Sequence, residues 1–196
     1  MSQSASIGFK VRTGRCAVVI LKGTRQEPEI VLRHELDLAD PWVPESMHPY
    51  HQELGESGAA GREARRRGCE AACKASRRAI ALLVDDMKSH GLEPRGAAIV
   101  ASSLIDPARI GGAHARAHAE EGKLYREAVY AALAACGLHA ELLLEKAVRA
   151  ALVAERLGRS ARQVDATLKA FSHEVGTPWR APEKQAALAA WLMLAQ

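Results

Sequence analysis

Three short segments with a residue period of two lie within the first forty positions, and they constrain everything that follows. Ile7, Phe9 and Val11 alternate with Gly8, Lys10 and Arg12, the pattern of a strand over Ser6–Arg12. Thr13-Gly14 supplies a tight turn. Cys16–Leu21 is a continuous apolar run and reads as a buried strand. Lys22–Pro28 is turn-like, and Glu29–Leu38 then sets Ile30, Leu32, His34 and Leu36 on one face. Joined by turns this short, the three strands read as an antiparallel meander.

The rest of the chain alternates helix and strand. Ala39–Gly58 has no clear period and carries Pro41, Pro44 and Pro49, which predicts a long ordered loop or an excursion of the kind that often carries function. A helix is expected over Ala60–His90, with Cys69, Ala72, Cys73, Ser76, Ile80, Leu83, Val84 and Met87 as its buried stripe and Gly91 as its stop. Gly96–Ser103 reads as a strand. Gly111-Gly112 precede a helix over Ala113–Cys136, and Leu138–Leu144 is a further strand. Glu145–Leu157 and Ala161–Val175 read as helices split by Gly158, and Pro182–Leu194 as a last helix with proline in its first turn. Strands alternating with helices after a meander imply an α/β fold: a mixed five-stranded sheet, the three-strand antiparallel meander plus two parallel strands, flanked by helices. No linker divides the chain, so one domain is expected over 1–196. With 48% hydrophobic but only 4% aromatic residues, alanine and aliphatic side chains must build the core.

Several classes are disfavoured. No apolar run approaches the ~18 residues of a membrane span, and Met1–Ser6 is polar rather than signal-like. A cytoplasmic location without a membrane partner is expected. Cys16, Cys69, Cys73 and Cys136 form no C-x-x-C pair and are expected to be buried, reduced thiols.

The element order resembles the ribonuclease H-like superfamily, and within it the RuvC-type Holliday-junction resolvases. Ile7-Gly8-Phe9-Lys10 is similar to the first strand of that family, Ala98-Ile99-Val100-Ala101-Ser102 to the fourth, Leu144–Arg149 to the segment after the fifth, and Pro182–Ala189 to the final helix. The resemblance implies a nuclease whose clustered carboxylates hold two divalent ions about 4 Å apart. The implied acidic positions are instead Lys10, Ala101 or Ser102, and Ala186, with Glu183 one turn before the last. Met1–Gln26 contains no Asp or Glu at all. Lysine repels the ions that the chemistry needs, so the expectation is a degenerate site with no bound metal and no cofactor. The simplest reading of Lys10 is a salt bridge to Glu183 that fills a disused site. The other is a mixed cleft of Lys10, Arg12, Ser102, Glu145, Lys146 and Glu183 that binds an anion without hydrolysing it. The strand–turn–strand of Ile7–Leu21 also faintly resembles the phosphate loop of sugar kinases and actin-like ATPases, but one domain without their first-strand acid argues against ATP hydrolysis.

Charge is segregated. Arg62, Arg65, Arg66 and Arg67 crowd the first two turns of the long helix, where the helix dipole disfavours cations by about 0.3–1 kcal/mol each. Either nucleic-acid phosphates offset that cost, or the acidic segment 27–56 folds back onto the arginines. The anion candidates are Lys10, Arg12, Arg62, Arg65, Arg66 and Lys146.

Histidines form two sets. His48, Tyr50 and His51 lie in the proline-rich loop; His48 and His51 could bind a metal with Asp40 or Glu45, or the three could form a site for acid–base chemistry on a small molecule with Glu145 or Glu183 helping. The plainer reading packs Trp42 and Tyr50 onto the domain and leaves the histidines solvated. His114, His118 and Glu121 share a helix face at a spacing that permits a metal, although a solvated face is the simpler reading. Together these point to a domain that binds a protein partner, a second copy of itself or nucleic-acid phosphates, without metal-dependent cleavage; the competing class is an enzyme with a site rebuilt around His48, Tyr50 and His51.

Overall fold

In the computed structural model, which describes residues 2–56 and 58–194, the meander is present and longer than its periodicity suggests. It comprises β1 (Gln3–Arg12), β2 (Arg15–Gly23) and β3 (Pro28–Asp37). β4 (Leu92–Ala101) and β5 (Ala140–Leu144) complete one five-stranded sheet in the order β3-β2-β1-β4-β5. β1–β2 and β2–β3 pair antiparallel, while β1–β4 and β4–β5 pair parallel. The C-terminal ends of β1, β4 and β5 therefore lie side by side at one edge of the molecule.

The helices are α1 (Pro49–Gly55), α2 (Gly58–Ser89), α3 (Ala113–Ala135), α4 (Ala150–Leu157), α5 (Ala161–Val175) and α6 (Ala181–Met193). Strand alternation divides the core between the two faces of the sheet. Ile7, Phe9, Val18, Ile20 and Ile99 pack with Ile80, Val84, Met87, Tyr125 and Val129 of α2 and α3. Val19, Leu21, Ala98 and Val100 pack with Val164, Phe171 and Trp191 on the other face.

α6 lies against β1 with almost no side chain between them. Its Ala186, Ala187, Ala189 and Ala190 are all fully buried, and on β1 the facing residues are Ser6 and Gly8. The Ser6 hydroxyl donates to the Ala190 carbonyl at 2.7 Å. A Cβ on Gly8 would collide with the Ala186 carbonyl. At the other end, Arg25 donates to the Leu192 and Leu194 carbonyls at 2.9 and 2.8 Å, satisfying the last turn of α6.

Three sequence expectations are corrected. Ala39–Gly58 is no extended loop: a 3-10 turn at Pro44–Ser46 and α1 form a strap across α2 and α3, with Ser57 outside the described residues. Glu145–Leu157 is not one helix, because a 3-10 turn (Glu145–Ala147) separates β5 from α4. The buried stripe of α2 is rotated off its cysteines, leaving Cys69 half-buried and Cys73 exposed. The strap causes the rotation: it presses on Gly61 and Gly68, two turns apart on one face, and a Cβ at Gly68 would lie 2.6 Å from the Glu45 carbonyl. Cys16 is buried and all four thiols are free. No helix among the described residues is long and apolar enough to cross a membrane.

Because the Gly8 contact is with backbone rather than a yielding side chain, Gly8→Ala should destabilise the fold by about 2–3 kcal/mol. Urea denaturation measures it; a midpoint unchanged from the parent would show that α6 does not depend on this approach.

Candidate functional site

Lys10 lies on the α6 face of β1, two residues beyond Gly8, and it is only 5% exposed. A buried ammonium needs acceptors. It donates to Glu145 Oε2 at 2.7 Å and to Ser102 Oγ at 2.8 Å. Ser102 follows β4 and Glu145 follows β5, so the network joins the C-terminal ends of all three parallel strands. Two strand spacings, about 10 Å, are bridged by the lysine and glutamate side chains together. Ser102 donates to the same carboxylate oxygen at 3.0 Å, and Gln185 of α6 donates to the other at 2.9 Å.

Glu145 is the partner of Lys10, and the expected Lys10–Glu183 bridge is absent. Glu183 sits in the first turn of α6 and folds back to accept from the Arg180 backbone N–H at 2.8 Å. Its carboxylate serves the helix terminus. Ala186 is buried against β1. The Lys10, Gln185 and Ser102 hydrogen bonds lower the pKa of Glu145 from the usual carboxylate range to about 2.

On the α3 side, the same strand ends border a cavity of about 380 Å³ lined by Arg12, Thr13, Ser102, Ser103, His118 and Arg126, among others. Arg12 pairs with Glu35 at 2.6 Å. Arg126 donates only to the Ser103 and Gly122 carbonyls among the described residues. Lys146 is exposed beside Glu145.

Two of the four arginines at the start of α2 meet the acidic segment that precedes it. Arg65 pairs with Glu53 at 2.7 Å, Arg67 with Glu45 at 2.9 Å, and Arg66 with Glu63 and Glu70 of its own helix. The strap thereby supplies counter-charge to the crowded helix start. Arg62 is exposed. The Glu45 carboxyl is held below its usual range by its own backbone N–H and by Arg67.

The strap also brings the two histidine sets together. Glu121 of α3 is fully buried, and its carboxylate accepts from His48 Nδ1 at 3.0 Å, His51 Nδ1 at 2.7 Å and the His51 backbone N–H at 3.3 Å. His51 then stacks against His114 and His118, with ring centroids 4.6 and 4.3 Å away. Glu121, grouped by sequence with His114 and His118, takes the place beside His48 and His51 that the sequence offered to Asp40, Glu45, Glu145 or Glu183. Asp40 caps the Trp42 N–H, Glu45 holds Arg67, and Glu145 and Glu183 are engaged as above. Tyr50 turns away onto α2, under the Arg65 guanidinium, and its burial there raises the pKa of its hydroxyl to about 12. Trp42 does not pack onto the domain; it is 90% exposed. Gln185 and Arg126 escape sequence reading, since neither belongs to a recognisable spacing.

No family model and no curated protein matches this chain. Among solved structures it is similar to Thermus thermophilus RuvC in complex with a Holliday junction substrate, with a TM-score of 0.58 and 9% identity over 97% of this chain and 92% of that one. A second Thermus thermophilus RuvC structure matches with a TM-score of 0.55 and 9% identity over 96% and 91%. The chain therefore has the RuvC-type, ribonuclease H-like fold; at this identity the likeness is one of fold.

Removing either partner of the crevice pair should have unequal effects. Glu145→Ala leaves an ammonium buried, costing about 2 kcal/mol, below the 3–5 of a fully buried pair because the Glu145 side chain is 42% exposed. Lys10→Met should cost less, about 1 kcal/mol, since Glu145 keeps Ser102 and Gln185. Because the folded-state value for Glu145 is lowered, its contribution is complete above the usual carboxylate range and is lost as pH falls toward about 2. The stability gap between wild type and Glu145→Gln should close over that window in urea titrations. Equal losses in the two single variants, or a gap that ignores acid, would show that the pair is not coupled.

Proposed function

We propose that this chain is a catalytically degenerate RuvC-like domain that binds the phosphate backbone of nucleic acid and does not cut it through paired metal ions. The observation that carries this reading is the Lys10–Glu145 pair at the ends of the central strands. Two-metal cleavage needs several carboxylate oxygens free to bridge two cations. Here one carboxylate has both oxygens accepting hydrogen bonds, the next acid caps a helix, and an ammonium lies 2.7 Å from the first. These residues do not fit a pair of magnesium ions.

Binding without cutting requires cations that can release their partners. Arg12 and its partner Glu35 are both about half exposed, and an exposed pair is worth under about 1 kcal/mol. A phosphate can displace such a partner. Arg12, Arg126 and Lys146 form a basic rim at the strand ends, beside the buried pair. This rim supports the reading better than Arg65 and Arg66, which already face carboxylates, and better than Lys10, which is buried. The Thermus thermophilus RuvC of the same fold is seen with a Holliday junction, which makes branched DNA the first ligand to try.

Fluorescence anisotropy with a four-way junction and a matched duplex, in EDTA, tests the reading. Binding should weaken steeply with salt, and Arg126→Glu and Lys146→Glu should each lower the slope of log affinity against log salt by about 1. Incubation with magnesium or manganese should leave the junction uncut. Cleavage, or no salt-sensitive binding to any nucleic acid, would overturn the proposal, and the latter would favour a protein partner.

A further inference from the structure

We infer that His51, His114 and His118 form a three-imidazole site for a divalent transition metal of the zinc class, with Glu121 as the outer carboxylate that orients His51. This goes beyond the nucleic-acid reading and does not depend on it. One ligand atom from each histidine can be chosen so that all three lie within 4.8 Å of one another. His114 Nε2 and His118 Nε2 are 3.2 Å apart. Two nitrogens bound at 2.0–2.1 Å to a tetrahedral zinc ion are separated by about 3.3 Å, so this pair already has the spacing required.

His51 supplies the decisive observation. Its Nδ1 is held by Glu121 at 2.7 Å, which fixes that nitrogen as the N–H donor and leaves the lone pair on Nε2. Nε2 is buried and has no hydrogen-bond partner. A buried polar atom without a partner is costly, and this one belongs to the ring stacked on His114 and His118. A carboxylate holding one imidazole nitrogen while the other faces a metal is the usual outer arrangement of histidine metal sites. Hydrogen bonding among the histidines accounts for the His114–His118 contact but leaves His51 Nε2 unexplained.

His48, His51 and Glu121 also lie close enough to hold an ion. Their nitrogen–oxygen distances of 2.7 and 3.0 Å are those of hydrogen bonds, and the Glu121 carboxylate is fully buried with its acceptors in use. That set is the support, and the three imidazoles are the ligands. Nitrogen donors without a hard oxygen favour zinc, cobalt, nickel or copper over magnesium. Three protein ligands leave a fourth position for water or an oxyanion. His118 also lines the cavity shared with Arg12, Ser102 and Arg126, where such an oxygen would be received. His114 and His118 are exposed, which gives the ion a path in.

The test uses the tag-free full chain stripped with EDTA, with zinc followed by calorimetry and cobalt by visible absorption. One ion per chain is expected, with the intense visible bands of four-coordinate cobalt. His114→Ala and His118→Ala should each weaken binding by more than about 100-fold, and Glu121→Gln by about 10–100-fold with the cobalt bands retained. His139→Ala, an exposed histidine outside the cluster, should change nothing. Circular dichroism confirms that the exposed-site variants fold. Absence of stoichiometric zinc binding, or binding that survives both His114→Ala and His118→Ala, would overturn the inference. Loss of DNA binding with zinc binding intact would overturn only the nucleic-acid reading.

Discussion

The close approach of α6 to β1 sets the geometry of this molecule. A helix faced with alanine can settle onto a strand only where the strand offers nothing larger than serine and glycine. Ser6 and Gly8 meet that condition, and the Ser6 hydroxyl ties the two backbones together. Two residues farther along the same strand face, the approach can no longer exclude a long side chain. Lys10 emerges there, at the end of the contact, and is directed over the parallel strands toward the ends of β4 and β5. The same packing brings Gln185 to the second oxygen of Glu145. The crevice network thus depends on the seating of α6, which contributes Gln185 to the carboxylate that holds Lys10.

On the opposite face a single carboxylate has a comparable organising effect. Glu121 is fully buried, and a charge in that position is tolerable only with several donors. The strap supplies three, from His48 and His51. It is pinned elsewhere by the Tyr125 hydroxyl donating to the Ser46 carbonyl, and by the Glu45–Arg67 and Glu53–Arg65 pairs. Acidic strap and basic helix start stabilise each other, so the segregation of charge along the sequence is an internal complementarity.

The sheet was legible because period-two patterning and turn residues are local signals. The antiparallel-then-parallel pairing followed from β1, β2 and β3 being joined by turns and β4 and β5 by helices, whereas the order β3-β2-β1-β4-β5 comes from the structure. The strap was harder to see: Pro44 and Pro49 look like breakers, yet each occupies the first turn of a helix, where its missing N–H is harmless. The partner of Lys10 could not be read because Glu183 and Glu145 were both plausible by sequence, and only the capping of α6 removes Glu183. His48 with His51, and His114 with His118, were each visible as pairs. Nothing in their spacing states that a strap seventy residues upstream lies on α3, and that contact turns two ordinary pairs into one cluster.

The two sites share a logic that bears on the chemistry available to this fold. In both, the carboxylate positions a nitrogen-bearing side chain: Glu145 holds an ammonium, and Glu121 holds two imidazoles. Magnesium prefers several oxygen ligands, and both oxygens of Glu145 at the strand ends already accept hydrogen bonds. The lone pairs left over belong to imidazole nitrogens, which suit softer ions. Ser102 connects the two regions, donating to Glu145 on one side and lining the His118 cavity on the other. On the proposed reading, a reaction at the strand ends would draw on histidine nitrogen and the neighbouring arginines, because Glu145 and Glu183 are engaged in holding the scaffold.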